Sequence, residues 1–502
     1  MADPARPALP LSALLARVRA ALPAELPAWL VGGAVRDSLL RRSTRDLDIV
    51  VAGDALAGAR AVANALGGAY FPLDIERGVG RVVLARPDGR ITLDISRLRG
   101  ATLADDLAAR DFTLNAMAAD LAQPDALIDP LRGEPDLRAK LIRACSPTSI
   151  ADDPLRAIRA VRLAAELKFR IDPPTLAAVR AQANRLAGVS LERRRDELTR
   201  CLSGPNPASA IRVLDRLGLL PALLPELAVL HGVTQSAPHV YDVWEHTLTV
   251  FSRLVEVLAV LAPVYDDEAA SDLTLGLVAL RLGRHRQALG AHLSAALSDE
   301  RPARLLLLLA SLLHDAGKPA TRSVDPDGRI RFFNHDQVGA QLALDRLTEL
   351  RFSTEEAQRV SAIVAHHLRP LLLSAETSLS RRAVYRFCNQ AGEAGIDVVL
   401  LSLADFLGTY GDGPPPVDEW NRLLDVCSQL LRAYFENPEQ AINPPVLLTG
   451  HDVMREFGLS PGPALGRLLN ELREAQAAGE VADRAVALEW VRAYLAARRD
   501  ED

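Results

Sequence analysis

The stretch Leu30-Val31-Gly32-Gly33-Ala34-Val35-Arg36-Asp37, followed shortly by Asp46-Leu47-Asp48-Ile49, decides how the rest of the chain is read. Trp29 to Val31 has the apolar content of a short strand, Gly32 and Gly33 predict a turn, and Ala34 to Leu40 predicts a helix. Leu47 to Val51 is a second apolar strand. Side chains alternate along a strand, so Asp46 and Asp48 leave the same face of the sheet. Two carboxylates side by side repel each other unless a cation lies between them. An oxygen-rich site with few protein ligands suits Mg²⁺ carrying a nucleoside triphosphate.

Outward from this core, Ala55 to Leu66 has helical periodicity, and Arg81 to Ala85 with Ile91 to Ile95 forms a hairpin around Pro87, Asp88 and Gly89. Asp94 lies within the second hairpin strand and supplies a third acid. Together the acids could hold two metals for in-line phosphoryl transfer, one activating a 3′ hydroxyl and one steadying the leaving pyrophosphate. Gly32 and Gly33 allow close backbone approach, the helix behind them offers unpaired N–H groups to phosphate oxygens, and Arg36 adds a cation. Each feature has an ordinary alternative: a Gly-Gly turn is common, and Asp-x-Asp often marks a solvated strand edge. Their combination favours the site.

At 502 residues the chain exceeds what a single hydrophobic core supports. Hydrophobic residues make up 49% and charged residues 24%, the balance of a globular protein. Met1 to Pro10 lacks the apolar run and cleavage site of a secretory signal, and Leu305 to Leu313 is too short to span a bilayer, so a cytoplasmic protein is expected. Cys145, Cys201, Cys388 and Cys427 are dispersed, which argues against a disulfide framework or zinc ribbon. A net charge of -6 gives no global attraction to nucleic acid, so RNA would need local patches such as Arg193 to Arg195. From about Asp152 onward strand signals nearly vanish, with breaks at Ser203 to Pro207, Tyr265 to Ser271 and Gly411 to Pro416. The expected fold class is α+β: an N-terminal α/β domain followed by an extended all-α body.

The motifs of the opening stretch resemble those of the bacterial-type tRNA nucleotidyltransferase and poly(A) polymerase family, within the polymerase-β-like nucleotidyltransferases. Arg110-Asp111-Phe112-Thr113-Leu114-Asn115-Ala116-Met117 is similar to that family's second motif, and Asp129-Pro130 with Gly133 and Asp136-Leu137 to its third. The resemblance implies metal binding by Asp46 and Asp48, Asp94 as third catalytic carboxylate, and a sugar and triphosphate site shaped by Arg110, Asp111 and Asn115. Without it, Asp111 reads as a helix cap and Arg110 as a solvated side chain.

Asp152-Asp153-Pro154-Leu155-Arg156 opens a further helix that continues through Arg159 and Arg162. Read plainly, an Asp before Pro is an N-cap, and Asp152 pairs with Arg156 one turn on. Read chemically, Asp153 accepts from the exocyclic amine of cytosine or adenine while Arg156 donates to ring acceptors, a protein template that selects CTP and ATP. The segment resembles the family's base-reading motif, with Asp152 where the family usually has Glu, and Arg159 joins the nucleotide site. Enzymes of the family that add the whole CCA sequence usually carry a longer loop before the second motif than Ser96 to Asp106, so CCA, CC-only and A-only addition remain open.

The third constellation lies in the helical body. Leu305 to Leu313 is apolar on nearly all sides, yet ends in His314-Asp315 before Gly317. A buried charged pair needs partners, and a divalent metal is one. His246 and Asp405 complete a His, His-Asp, Asp pattern that resembles the HD phosphohydrolase superfamily, with His335, His366 and His367 available for a second metal. His231 and His239 lack such context and are expected on the surface or in loops. Leu448 to Asp452 and Ser460 to Gly466 resemble the tail behind HD-containing members, with helix termination as their ordinary role.

The expectation is a two-activity RNA enzyme acting on tRNA with ATP and CTP and with no membrane partner. Its parts are a catalytic head over 1–145, a base-reading neck over 146–225, an HD domain over 226–412 and an RNA-binding tail over 413–502. A poly(A) polymerase and a non-catalytic RNA-binding protein of the same fold are the alternatives; the oligomeric state is not legible.

Overall fold

The computed structural model describes residues 12–87, 89–264, 272–298, 301–442 and 444–499. The lead through Pro10, Asp88 of the hairpin turn and the break Tyr265 to Ser271 lie outside them. Contacts divide the chain into two compact units, Met1–Ala222 and Leu223–Asp502.

The first unit begins with α1 (Ser12–Ala21), β1 (Ala28–Val31), α2 (Gly33–Leu39), β2 (Asp46–Val51), α3 (Ala55–Leu66), β3 (Ala69–Asp74), β4 (Val79–Arg86) and β5 (Gly89–Arg97). It continues with α4 (Leu103–Ala108), β6 (Ala118–Asp120), β7 (Gln123–Ile128) and α5 (Gly133–Arg138). The strands form one sheet in the order β3-β4-β5-β2-β1-β6-β7. Only β2 and β5 run parallel; the remaining neighbours are antiparallel.

Alternation separates the two faces. Leu47, Ile49, Val82, Leu84, Leu93 and Ile95 are buried on one of them. A Cβ on Gly80 would lie 2.7 Å from the Ala59 Cβ, so this is the face α3 covers, and a glycine lets the helix come close. On the opposite face Val31, Val50 and Ala118 build a small core with Leu107 and Ala116 at the β1 and β6 end. The β2 and β5 portion of that face stays open, and there Asp46 and Asp48 stand exposed.

Five helices follow in this unit, Ser149–Asp152, Arg156–Leu167, Pro173–Ala181, Leu191–Ser203 and Pro207–Arg216. Their Ile, Leu and Ala stripes turn inward: Ile158, Val161, Leu198, Leu202, Ile211 and Leu214 are buried.

The second unit is helical, as the expectation of an all-α body required. Leu305 to Leu313 are all buried, and so is nearly every residue of Ala394–Thr409. Helices apolar on all sides can only be central ones. The last three helices, Gly450–Phe457, Pro463–Ala478 and Arg484–Arg499, have a core of their own built on Val453, Leu465, Leu468, Leu472 and Val491. Thr449 and Asp452 form a capping box, so the Leu448 to Asp452 motif takes its ordinary helix-end role.

The few strands outside the main sheet among the described residues are three short ribbons: Leu141–Ile142 with Arg170–Ile171, Ala296–Ser298 with Arg301–Pro302, and Arg322–Val324 with Ile330–Phe332. Elements of two or three residues are too short to show alternation in a sequence. No described helix is long and apolar enough to cross a membrane.

Candidate active site and metal centre

The three acids of the first unit come together by register. Asp48 stands opposite Asp94 across the parallel β2 and β5 pair, with Asp46 opposite Thr92, so all three carboxylates share the open face. Asp48 is accessible, yet desolvation in the cleft pushes its carboxyl up; Asp94 and Asp46 push it further, and Arg110 opposes them. Like charges this close make a cation the natural complement, so the donor set fits a hard divalent metal. Gly32 closes the site from β1. Its φ of 76° is left-handed, and a Cβ there would lie 3.0 Å from Arg110 Nη1 and 3.2 Å from Asp48 Oδ2.

One partner of this site escaped the sequence. Arg81 faces Asp94 across the β4 and β5 hairpin, and its Nε and Nη2 each donate to a carboxylate oxygen at 2.8 Å. A bidentate pair of this kind fixes the plane of the carboxylate. Only the hairpin register reveals it.

Several residues expected to meet a nucleotide are engaged with one another. Arg36 is buried; its Nε and Nη2 donate to Asp37 at 2.9 Å and its Nη1 to Asn115 Oδ1 at 2.8 Å. Asn115 Nδ2 donates to Asp111 Oδ1 at 3.1 Å, and Arg159 Nη2 lies 3.1 Å from Asp111 Oδ2. Glu197, buried on Leu191–Ser203, then receives Arg162 Nε at 2.9 Å and lies 3.7 Å from Arg159 Nε. Burial pushes the Asp111 carboxyl up, but Arg159, Asn115 and the Phe112 N–H outweigh it, and the net shift is downward. Arg110 is not simply solvated: it lies 3.1 Å from buried Asp106. Asp129 accepts from the Gly133 and Glu134 N–H groups at 2.7 and 2.9 Å, capping α5.

The two residues expected to read bases each have other partners. Asp153 lies between two helices rather than capping one by the predicted N-cap; Leu155 N–H and Arg193 Nη2 donate to its carboxylate at 3.3 and 2.7 Å. Arg156 does not pair with Asp152. It donates to the carbonyls of Arg110 and Ala109 at 3.1 and 2.8 Å and to Ser149 Oγ at 2.7 Å, while Asp152 accepts from Thr148 at 2.9 Å. The break after Asp152 removes the continuous turn that the expected ion pair required.

In the second unit, residues from five helices converge. His246 comes from Val243–Val260, His314 and Asp315 from the end of Ala303–Leu313, His335 from the start of His335–Glu349, His367 from the end of Thr354–His366, and Asp405 from Ala394–Thr409. His246 Nε2 lies 3.0 Å from Asp405 Oδ1 and 3.5 Å from Asp315 Oδ2; His335 Nε2 lies 3.5 Å from Asp315 Oδ1. Two ligand groups overlap at Asp315: His246, His314, Asp315 and Asp315, His335, His367. The Nδ1 atoms of His314, His335 and His367 face the carbonyls of Ser311, Phe332 and Val364 at 2.8, 2.7 and 2.7 Å. A carbonyl only accepts, so each Nδ1 holds the proton and each Nε2 presents a lone pair inward. These three Nε2 atoms are buried without a hydrogen bond, an arrangement that fits a metal. Burial opposes positive charge at His314, but Asp315 and Asp405 outweigh it, so the cluster favours a cation at this Nε2, a place that a bound metal would take.

One expectation needs correction. His366 is not among the gathered ligands; it lies near Arg369 and Gln390, because adjacent residues at a helix end point in different directions. His239, expected on the surface or in a loop, lies in a loop, and that loop lines the cavity of about 340 Å³ beside this centre, the His239 ring 5.0 Å from that of His246. Lys318 was also missed. Its Nζ lies 2.7 Å from Asp315 Oδ2, and its place three residues after that acid was the available signal.

With this geometry in hand, three family descriptions match the chain: the poly A polymerase head domain over residues 28–143, the probable RNA and SrmB-binding site of polymerase A over 168–230, and the HD domain over 277–405. The A-adding tRNA nucleotidyltransferase of Deinococcus radiodurans is 38% identical over 90% of this chain and 92% of its own length. The chain belongs to the tRNA nucleotidyltransferase and poly(A) polymerase family. A second member, the CC-adding tRNA nucleotidyltransferase of Thermus thermophilus, is 35% identical over 93% of each chain. Among solved structures, a CCA-adding enzyme complexed with ATP superposes at a TM-score of 0.62 with 21% identity, covering 97% of this chain and 95% of that one. The Thermotoga maritima CCA-adding enzyme with tRNA gives 0.57 at 20% identity, covering 97% and 95%. At those identities the likeness concerns fold. Along the chain these matches run in the order head domain, RNA-binding site and HD domain.

Proposed function

We propose that this protein transfers CMP, AMP or both from CTP and ATP to the 3′ end of tRNA, with Mg²⁺ held by Asp46 and Asp48. The observation that carries this reading is the register of Asp46, Asp48 and Asp94 on one open face beside Gly32 and Arg110. Bound Mg²⁺ would supply activation of the attacking hydroxyl and neutralisation of the leaving group. The chain's own part is positional: Asp48 and Asp94 flank the place of the reacting phosphorus, Arg81 holds the Asp94 plane, and Arg110 lies beside Asp48 as a cation for the triphosphate. Asp111 and Asn115, fastened by Arg36 and Arg159, shape the floor. Asp153 and Arg156 are the proposed base readers, each leaving its present partner when a nucleotide enters. A cytoplasmic site of action accompanies a tRNA substrate and a chain without an apolar spanning helix among its described residues. A finer division into head, neck, HD domain and tail at 145, 225 and 412 goes with this reading.

The segment before the second motif favours partial addition. It is short and pinned, with Arg99 N–H donating to Asp106 at 3.1 Å and Thr102 N–H to Asp105 at 2.9 Å. The relatives named A-adding and CC-adding are about equally similar, so product analysis decides. On tRNA lacking one, two or three terminal nucleotides, incubation with each triphosphate should extend only the ends that await C or A. Long A tracts without C would instead make this a poly(A) polymerase, and full activity of the Asp46→Ala, Asp48→Ala variant would refute the assignment of catalysis to that pair.

The second centre supports a metal-dependent phosphohydrolase, with His246, His314, Asp315 and Asp405 at one metal and Asp315, His335 and His367 at another. Opening of 2′,3′-cyclic phosphate RNA ends to the monoester, or release of phosphate from 3′-phosphate ends, should be lost in His314→Ala.

A further inference from the structure

The catalytic face of the sheet does not end at Arg81. Pairing across β2, β5, β4 and β3 places Asp48, Asp94, Arg81 and Phe71 in one transverse row, so all four side chains leave the same face. Phe71 is 50% exposed, and just beyond it Leu73 and Ile75 are 49% and 73% exposed. Strongly exposed large apolar side chains are otherwise scattered along the described chain, whereas here three fall within five residues, beginning with the one in the row of Asp94. The face α3 covers is the other one, as the Gly80 contact establishes.

We infer that Phe71 is a stacking platform for a base near the 3′ end of the RNA being extended; this rests on the nucleotidyl-transfer reading. The spacing of strands argues for it. Adjacent strands are about 4.8 Å apart, so Phe71 lies roughly 10 Å from Asp94 along the row. A reactive 3′ hydroxyl held at Asp48 and Asp94 puts the terminal or preceding base at that reach. An aromatic face takes any base, as a site meeting successive 3′ ends requires. Arg81 lies between, a cation on the path of the backbone. A polyanion with flat apolar bases is complementary to this order of carboxylate-bound cation, guanidinium and aromatic ring. A second copy of the chain would find no reason for the continuity with the acids.

The test compares Phe71→Ala, Phe71→Leu and Phe71→Tyr. Ala and Leu should each raise KM for tRNA about ten-fold, within the range that base stacking supplies, with KM for CTP and ATP little changed; Tyr should restore the wild-type value. Leu behaving as wild type, or equal losses for tRNA and triphosphate, would overturn the platform. So would a change of oligomeric state in Phe71→Ala by sedimentation, which would make the patch a contact between copies. Fluorescence anisotropy of a labelled tRNA, read with EDTA present, separates this claim from its parent. If wild type binds and Phe71→Ala binds about ten-fold more weakly while neither incorporates nucleotide in a parallel assay with Mg²⁺ restored, the platform stands and the transferase reading falls; equal binding by the two proteins sinks the platform whatever the activity.

Discussion

Asp111 shows how one side chain serves both the site and the fold. It is buried, and its charge is held by Arg159, Asn115 and a backbone N–H. Its folded-state pKa lies below the ordinary 3.8, so its contribution to stability is present above that pH and is lost as the pH falls through the lowered value. Asp111→Asn should cost about 2 kcal/mol at neutral pH, less than a fully buried broken pair because Arg159 is still partly solvated. Urea denaturation at pH 7 and pH 3 checks it: the gap between variant and wild type should narrow at the lower pH. A gap that is unchanged would mean the charge is not what Asp111 contributes. The sequence reading placed Asp111 in the site but had no means of naming Arg159 as its partner.

At the scale of elements, the metal centre depends on how closely two helices approach. A Cβ on Gly317 would meet the His335 carbonyl oxygen at 2.2 Å and the Gly339 N at 2.7 Å, both backbone atoms that cannot swing aside. Gly317→Ala should therefore push His335–Glu349 away from the turn after Asp315 and cost roughly 2 kcal/mol by overpacking. Because His335 leads that helix, metal content by elemental analysis should fall with it, whereas nucleotidyl transfer should persist. Normal metal content in a folded variant would show that the helix relaxes without moving its ligand. The His-Asp pair was legible because it interrupts an apolar run; the choice of His367 over His366 was not, since it depends on where a helix ends.

For the whole molecule, two units carry two different centres. Metal that binds the folded state stabilises only the unit that holds it. Removal of metal with a chelator should lower the unfolding temperature of the helical Leu223–Asp502 unit while the head unit, whose acids are open to solvent, changes little. Calorimetry with and without EDTA, repeated on His314→Ala, checks this; in that variant the chelator should have a much smaller effect. A uniform shift of all transitions would argue that the units unfold as one.

Periodicity and motif spacing sufficed for the mixed sheet followed by helices, for the shared face of Asp46 and Asp48, and for the His and Asp residues worth gathering, because these depend on neighbours in the chain. Tertiary structure alone decided that Arg81 and Phe71 stand in the row of Asp94, that Arg156 turns to the carbonyls of residues 109 and 110, and that His239 lines the metal cavity. Strand register and helix-to-helix approach join residues distant in sequence, and no local pattern encodes which of many compatible partners the packed chain brings within reach.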